Sequence, residues 1–119
     1  MVSVVELSVE WSASVLGVAA RTSPPRDSQD EAEFCLVERT GGLLDYPHDS
    51  PEVTFQLWAR ADERAEQLAM MLAIAAKTMP PRDGHINAVG VPSVSSYGEV
   101  DGGFFVWQVS LPLEMNLLD

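Results

Sequence analysis

Basic residues are scarce in this chain. Seven Lys and Arg stand against 18 Asp and Glu, which gives a formal net charge of −11 over 119 residues. Because phosphate groups are bound by basic side chains, this imbalance argues against tight binding of nucleic acid. The simplest interpretation of the acidity is that it keeps the protein soluble. An acidic surface is also compatible with DNA that passes by without adhering.

Cysteine, histidine and long apolar runs are scarce as well. The single cysteine, Cys35, excludes an internal disulfide, and two histidines at unrelated spacing do not predict a zinc site. No apolar run approaches the roughly 18 residues of a membrane-spanning helix. Glu6 and Glu10 lie where a signal peptide would be basic and then apolar. We therefore expect a soluble protein, made in the cytosol, with no membrane association.

The N-terminal part is expected to open a single domain that spans residues 1–119. Residues 3–15 fit both an alternating strand and a helical stripe. Ser3 and Glu6 have the spacing of a capping box, and Gly17 can close a helix, so these end signals favour the helix. A short strand at 18–22 and a loop at 23–31 are predicted to follow.

Two alternating strands are predicted next, at 33–40 and 52–60. The segment between them, 41–51, contains two glycines and two prolines and is predicted to be a loop with hinges and stiff points. Leu43, Leu44 and Tyr46 are unusual in a solvated loop, and such apolar loop residues indicate a contact site.

A second helix is predicted from an N-cap at Asp62 to about Met79. Its inner stripe consists of Ala65, Leu68, Ala69, Leu72, Ala76 and Met79. A second apolar stripe, formed by Met70 or Met71, Ile74 and Thr78, requires a cover from either the N-terminal helix or a neighbouring subunit. A final hairpin follows, with an interrupted strand over 86–100 and a strong strand over 104–113. The inner face of that last strand is predicted to be Phe105, Trp107, Val109, Leu111 and Leu113.

No catalytic site is predicted. His48 beside Asp49 and Asp83 near His85 lie in Pro/Gly turns, and adjacent side chains point apart in an extended chain. No Ser or Cys is placed for nucleophilic work, and Cys35 alternates within a strand as a packing residue. The Gly-Gly pairs lack the strand–loop–helix setting of a phosphate cradle. We therefore expect no enzyme, no cofactor and no metal.

The order of elements and two short motifs resemble a known family. Arg39-Thr40-Gly41-Gly42 ends one strand, Gln56-Leu57-Trp58-Ala59 lies in the next, and an Ala-rich helix from Asp62 follows. This arrangement resembles the small tail terminator, or neck, proteins of long-tailed (siphovirus-type) bacteriophages, particularly phages that infect actinobacteria. The resemblance spans almost the whole chain. Tyr97-Gly98-Glu99 departs from it, because that stretch is often proline-rich in the family.

The resemblance implies an α+β fold, a mixed and mostly antiparallel sheet with two helices packed on one face. It also implies a homohexameric ring that caps the tail tube, ends its polymerisation and joins the tail to the head-completion, or connector, protein. Double-stranded DNA would pass through the ring without sequence-specific contact. The expected location is the tail and neck of the virion, after assembly in the host cytoplasm.

Within that interpretation, two sets of residues are candidates for function. The candidates for a ring or partner interface are Arg39, Gly41, Gly42, Leu43, Leu44, Tyr46, Arg60, Met70, Met71 and Ile74. The candidates for acids that face the lumen and repel DNA are Asp45, Asp49 and Glu52. Arg39 and Arg60 fit inter-subunit ion pairs and ordinary surface pairs of little energetic value equally well.

Three other interpretations remain open from the sequence. The first is a head-side connector, head-completion or minor capsid protein of the same phage neck. The second is a small monomeric binding or regulatory module. The third is a hydrolase that uses His48 or His85, and its only support is that these residues are present.

Overall fold

The computed structural model describes residues 1–24 and 31–119, and these form an α+β fold, as predicted. The elements in chain order are α1 (Val4–Leu16), β1 (Ala19–Arg21), β2 (Glu33–Asp45), β3 (His48–Ala59), α2 (Asp62–Thr78), β4 (Ile86–Val89), β5 (Ser93–Val100) and β6 (Phe104–Asn116). The predicted loop at 23–31 falls largely on residues 25–30, which lie outside the described residues.

The strands form one six-stranded sheet in the order β1-β2-β3-β6-β4, and β5 pairs with the other half of the β6 edge that β4 occupies. β1 and β2 are parallel, and the other pairs are antiparallel. The hairpin of β2 and β3 therefore belongs to one side of the sheet, and β4 and β5 form the opposite edge.

The N-terminal segment is a helix, which confirms the interpretation that its end signals favoured. The Ser3 side chain accepts a hydrogen bond from the backbone N–H of Glu6, and Gly17 closes the helix at φ +68°. These bonds satisfy backbone groups that a helix leaves without partners at its ends. The inward face carries two buried serines, Ser8 and Ser12, whose small side chains allow α1 to lie close to the sheet.

Both helices pack on the same face of the sheet and bury one core. Its members come from both helices and from the three central strands, and the largest are Leu57, Phe55, Leu68, Leu72, Leu111 and Met115. The predicted inner stripe of α2 is confirmed, with the exception of Met79, which is 61% exposed. Met79 leaves the helix at φ −141° and ψ 61°, so its side chain no longer follows the buried stripe.

The first half of β6 buries side chains on both faces, which the alternation did not predict. Val109, Leu111 and Leu113 are buried as expected, whereas Phe105 and Trp107 are only half-buried. On the opposite face, an aromatic cluster forms in which the ring centroids of Phe34, Trp58 and Phe104 lie 5.2–5.5 Å apart. Aromatic pairs at this distance are attractive beyond the area that they bury.

The start of α2 differs from the prediction, because Ala61 and not Asp62 is the N-cap residue. Asp62 is the first residue of the helix, and its carboxylate accepts a hydrogen bond of 2.9 Å from Nε1–H of Trp107. At the other end, Nε1–H of Trp11 donates to the carbonyl of Met79 at 2.8 Å. Two indoles thus fix both ends of α2 to the rest of the fold.

Candidate functional site

The segment between the two predicted strands is a continuation of the hairpin and not a loop. β2 and β3 pair through Gly42↔Pro51, Leu44↔Asp49 and Asp45↔His48, so that only Tyr46 and Pro47 form the turn. The prediction of a loop was wrong because a bulge between Arg39 and Gly41 absorbs the irregular residue and the ladder then resumes.

An ion pair fixes the base of this hairpin. The two terminal guanidinium nitrogens of Arg39 donate to the two carboxylate oxygens of Asp49 at 2.8 and 2.9 Å, and the Asp49 side chain is 6% exposed. The structure therefore does not place Asp49 among the exposed acids, in contrast to our expectation. Arg39, a candidate for an inter-subunit ion pair, thus has its ion-pair partner within its own chain. Asp45 and Glu52 are exposed, as expected of candidates for the lumen.

The far end of the hairpin presents apolar side chains to solvent. Leu43, Leu44 and Tyr46 are 83, 59 and 62% exposed, and with the exposed Asp45 they form what we call the hairpin tip. Because β1 pairs with β2 only at residues 34–36, this outer half of β2 is a free strand edge in the described part of the chain. Free edges and bare apolar side chains are features of contact sites.

The second apolar stripe of α2 is also bare. Met70, Met71 and Ile74 are 47, 42 and 58% exposed. The N-terminal helix, one of the two covers that the sequence allowed, therefore does not cover this stripe. A neighbouring molecule remains the candidate cover.

A groove of about 870 Å³ begins at the C-terminal half of this stripe. It lies between α2 and β4, and its walls are largely apolar: Ile74, Pro80, Pro81, Val89, Val91 and Pro92. We call it the α2–β4 groove. Sequence reasoning missed it, because the turn after α2 brings together residues from separate predicted elements. The sequence signal that could have indicated it is Val91, an apolar residue between a glycine and a proline. In the structure the Val91 side chain is 87% exposed.

The distribution of basic residues singles out this groove. Among the described residues, three arginines are in intrachain ion pairs: Arg21 with Glu31, Arg39 with Asp49 and Arg64 with Glu33. Arg60 packs over the ring of Phe104, 3.7 Å from its centroid, and donates to the carbonyl of Gly102. Lys77 and Arg82 make no ion pair within residues 1–24 and 31–119, and both line the α2–β4 groove.

His48 has partners other than the adjacent acid, whereas His85 does pair with the nearby Asp83. His48 does not contact Asp49, since its Nε2 lies 2.7 Å from Oε2 of Glu114 and 3.2 Å from Oγ of Ser50. One ring nitrogen faces both partners and the side chains are about half exposed, so the trio lacks the relay across the ring that a catalytic triad uses.

His85 lies between two carboxylates. Its Nδ1 is 2.7 Å from Asp83 and its Nε2 is 3.0 Å from Asp119, so both ring nitrogens are engaged. The hydrogen bonds with Asp83 and Asp119 raise the pKa of His85. In the described part of the chain, no group of three or more His, Cys, Asp or Glu side chains is arranged to hold a metal ion.

Comparison with known proteins gives no relative: no family model matches this chain, and no curated protein matches it significantly. Neither of the helices described above is long and apolar enough to cross a membrane. The two bare apolar surfaces and the charges around them are therefore the features from which a function is inferred.

Proposed function

We propose that this chain is a structural virion protein, the tail terminator of a long-tailed bacteriophage. Six copies form a ring that caps the tail tube, ends its polymerisation and joins the tail to the head-completion complex. The observation that carries this proposal is that a single copy leaves two separate apolar surfaces exposed. These are the hairpin tip and the second apolar stripe of α2. Both expose apolar residues that the sequence predicts as candidates for a ring or partner interface.

The positions of these surfaces support a ring. The hairpin of β2 and β3 belongs to one side of the sheet order, whereas β4 and the α2–β4 groove lie at the other. A contact between two unlike surfaces of the same molecule is heterologous, and it either closes into a ring or continues as a filament. In a closed ring, both surfaces of every copy are in contact with a neighbouring copy. The two flat faces of the ring are then left for other partners, the tail tube protein and the connector protein.

The charge distribution supports the passage of DNA through the ring. The chain carries a formal net charge of −11, and Asp45 and Glu52 are exposed on the hairpin. A lumen lined by carboxylates repels phosphate groups and so lets the duplex slide without adhering. Asp49 is buried against Arg39 and Asp45 belongs to the hairpin tip, so Glu52 is the hairpin acid left for this role.

Deletion of the gene from the phage genome, followed by electron microscopy of the particles, tests the proposal. We expect overlong tails, because no ring stops tube polymerisation. Tails of normal length beside filled, unattached heads would overturn the assignment in favour of a head-side connector. Normal, fully joined virions would overturn both.

Complementation of the deletion tests the role of the hairpin tip. The triple variant Leu43→Ser, Leu44→Ser and Tyr46→Ser should fold but should not restore joined virions. The matched control is Tyr97→Ser, which replaces an equally exposed aromatic residue, 56% exposed, outside both surfaces. The control should restore joined virions as well as the native chain does.

A further inference from the structure

We propose that the hairpin tip of one copy docks into the α2–β4 groove of the next copy, with Asp45 facing Lys77 and Arg82. This inference rests on the proposed function in that it assumes assembly of identical copies. Beyond the proposed function, it identifies the two surfaces that meet between neighbouring copies and the charged residues that make the contact specific.

The first support is the match of apolar surfaces. The hairpin tip exposes two leucines and a tyrosine on a free strand edge. The α2–β4 groove offers a concave apolar wall, with Ile74 and Val91 exposed at 58 and 87%. A volume of about 870 Å³ accommodates several side chains of this size. Removal of both surfaces from water in one contact is the main source of favourable free energy in association.

The second support is charge complementarity. Lys77 and Arg82 line the groove without an ion pair in the described residues, and Asp45 at the hairpin tip has none either. The acid of the groove, Asp83, is already engaged by His85 at 2.7 Å. Copies with a formal charge of −11 repel each other over most of their surfaces. The groove is where the uncommitted cations of the described chain meet an apolar surface, so an acidic and apolar segment is the partner that it fits.

The third support is the arrangement of the two surfaces. The tip lies on the outer half of β2, and the groove lies beyond β6 at the β4 edge. A tip-to-groove contact therefore leaves a free groove on one copy and a free tip on the other. This is the requirement for a contact that repeats from copy to copy until the ring closes.

Cross-linking between two different variants tests the contact directly. Leu43→Cys and Ile74→Cys are purified separately, mixed at high concentration and treated with a short bis-maleimide. We expect at least about tenfold more mixed dimer than from Leu43→Cys mixed with Tyr97→Cys, since Tyr97 is exposed outside the groove. The native Cys35 does not interfere because it is fully buried.

A charge exchange provides an independent test. Asp45→Lys alone should weaken self-association by about tenfold in analytical ultracentrifugation, because an attraction becomes a repulsion. Addition of Lys77→Glu and Arg82→Glu to the same chain should restore it. Since all three residues are exposed, the variants should fold, and circular dichroism checks this.

The outcomes separate this inference from the proposed function. Rings that assemble with no tip-to-groove cross-link and no effect of charge exchange overturn the contact, while overlong tails in the deletion still support the terminator role. A tip that cross-links to the tail tube protein instead of a second copy also overturns it. A chain that stays monomeric in solution and in isolated particles overturns the contact and the ring together.

Discussion

Arg39 holds the carboxylate of Asp49 through two N–H groups at 2.8 and 2.9 Å, across the β2–β3 ladder. The same guanidinium donates to the carbonyls of Gly41 and Gly42, the residues at which the bulge ends. One side chain therefore satisfies both the buried acid and the backbone where the ladder is irregular. This relationship explains why the hairpin continues to Asp45 and can hold its tip in a fixed position.

Replacement of Asp49 by alanine should destabilise the protein substantially. It leaves Arg39 without its partner at a site where the side chains are 30 and 6% exposed. We expect the free energy of unfolding to fall by about 2–3 kcal/mol, somewhat less than for a fully buried pair because Arg39 is partly solvated. Urea denaturation of dilute protein measures this.

The matched control is Asp45→Ala, which removes the same group from an exposed position of the same hairpin. We expect it to change the free energy of unfolding by less than about 0.5 kcal/mol. Equal effects of the two substitutions would show that the ion pair does not support the hairpin.

Gly42→Ala should be far more damaging than Gly41→Ala. Gly42 has φ +102°, and a Cβ there would lie 2.0 Å from the carbonyl oxygen of Ser50 on the paired strand. The strands must separate to accept it, so we expect a loss of about 3 kcal/mol. At Gly41, φ is not positive and a Cβ meets nothing within 4 Å, so a loss below about 0.5 kcal/mol is expected. Thermal and urea denaturation of both variants check the difference.

The sequence predicted well where structure is decided by neighbouring residues. Ser3, Glu6 and Gly17 act within one helical turn of their own positions, and they identified both ends of α1. The inner stripe of α2 follows from periodicity, which is also local, whereas the α+β class is what the family resemblance implies. The prediction for Met79 was wrong because the helix ends at Thr78. The periodicity of the stripe therefore no longer applies at Met79.

The errors arose where residues distant in sequence decide the outcome. The glycines and prolines of residues 41–51 predict a loop because they are turn residues, whereas Arg39 and Asp49 pair ten positions apart and keep the hairpin regular. Asp62 is predicted to be a cap because Asp commonly accepts a nearby backbone N–H, but in the structure its partner is the indole of Trp107. The α2–β4 groove required the tertiary structure, since Lys77, Arg82 and Val91 meet only after the chain has turned.

Cys35 should react with thiol reagents only when the protein unfolds. Its side chain is fully buried between α1 and the sheet, and burial raises the pKa of the thiol to about 12. Because the thiolate is the reactive form, both access and ionisation are suppressed at pH 8. We expect labelling by a maleimide to follow the rate of global opening and to accelerate in urea. Ser95→Cys, at an exposed position of β5, should label at once and serves as the control.

The contact of His85 with Asp119 should depend on pH. The hydrogen bond with Asp83, followed by that with Asp119, raises the pKa of His85 above its ordinary 6.5. The backbone N–H of His85, followed by its ring, lowers the pKa of Asp83 from 3.8. A raised histidine pKa contributes stability that is complete below pH 6.5 and is lost as the pH rises through the higher folded value. A lowered carboxyl pKa contributes stability above pH 3.8 that is lost on acidification. The contact is therefore strongest between about pH 4 and 6.5.

NMR titration of the His85 ring measures this, together with the amide signal of Asp119 as a reporter of its contact with His85. Asp83→Asn should lower the pKa of His85 more than Asp119→Asn does, because the bond with Asp83 is the larger cause. In the native chain, the Asp119 signal should move towards that of the Asp119 amide in an unstructured peptide as the pH rises past the pKa of His85. A native His85 pKa at or below 6.5, or an Asp119 signal indifferent to that titration, would contradict the assignment.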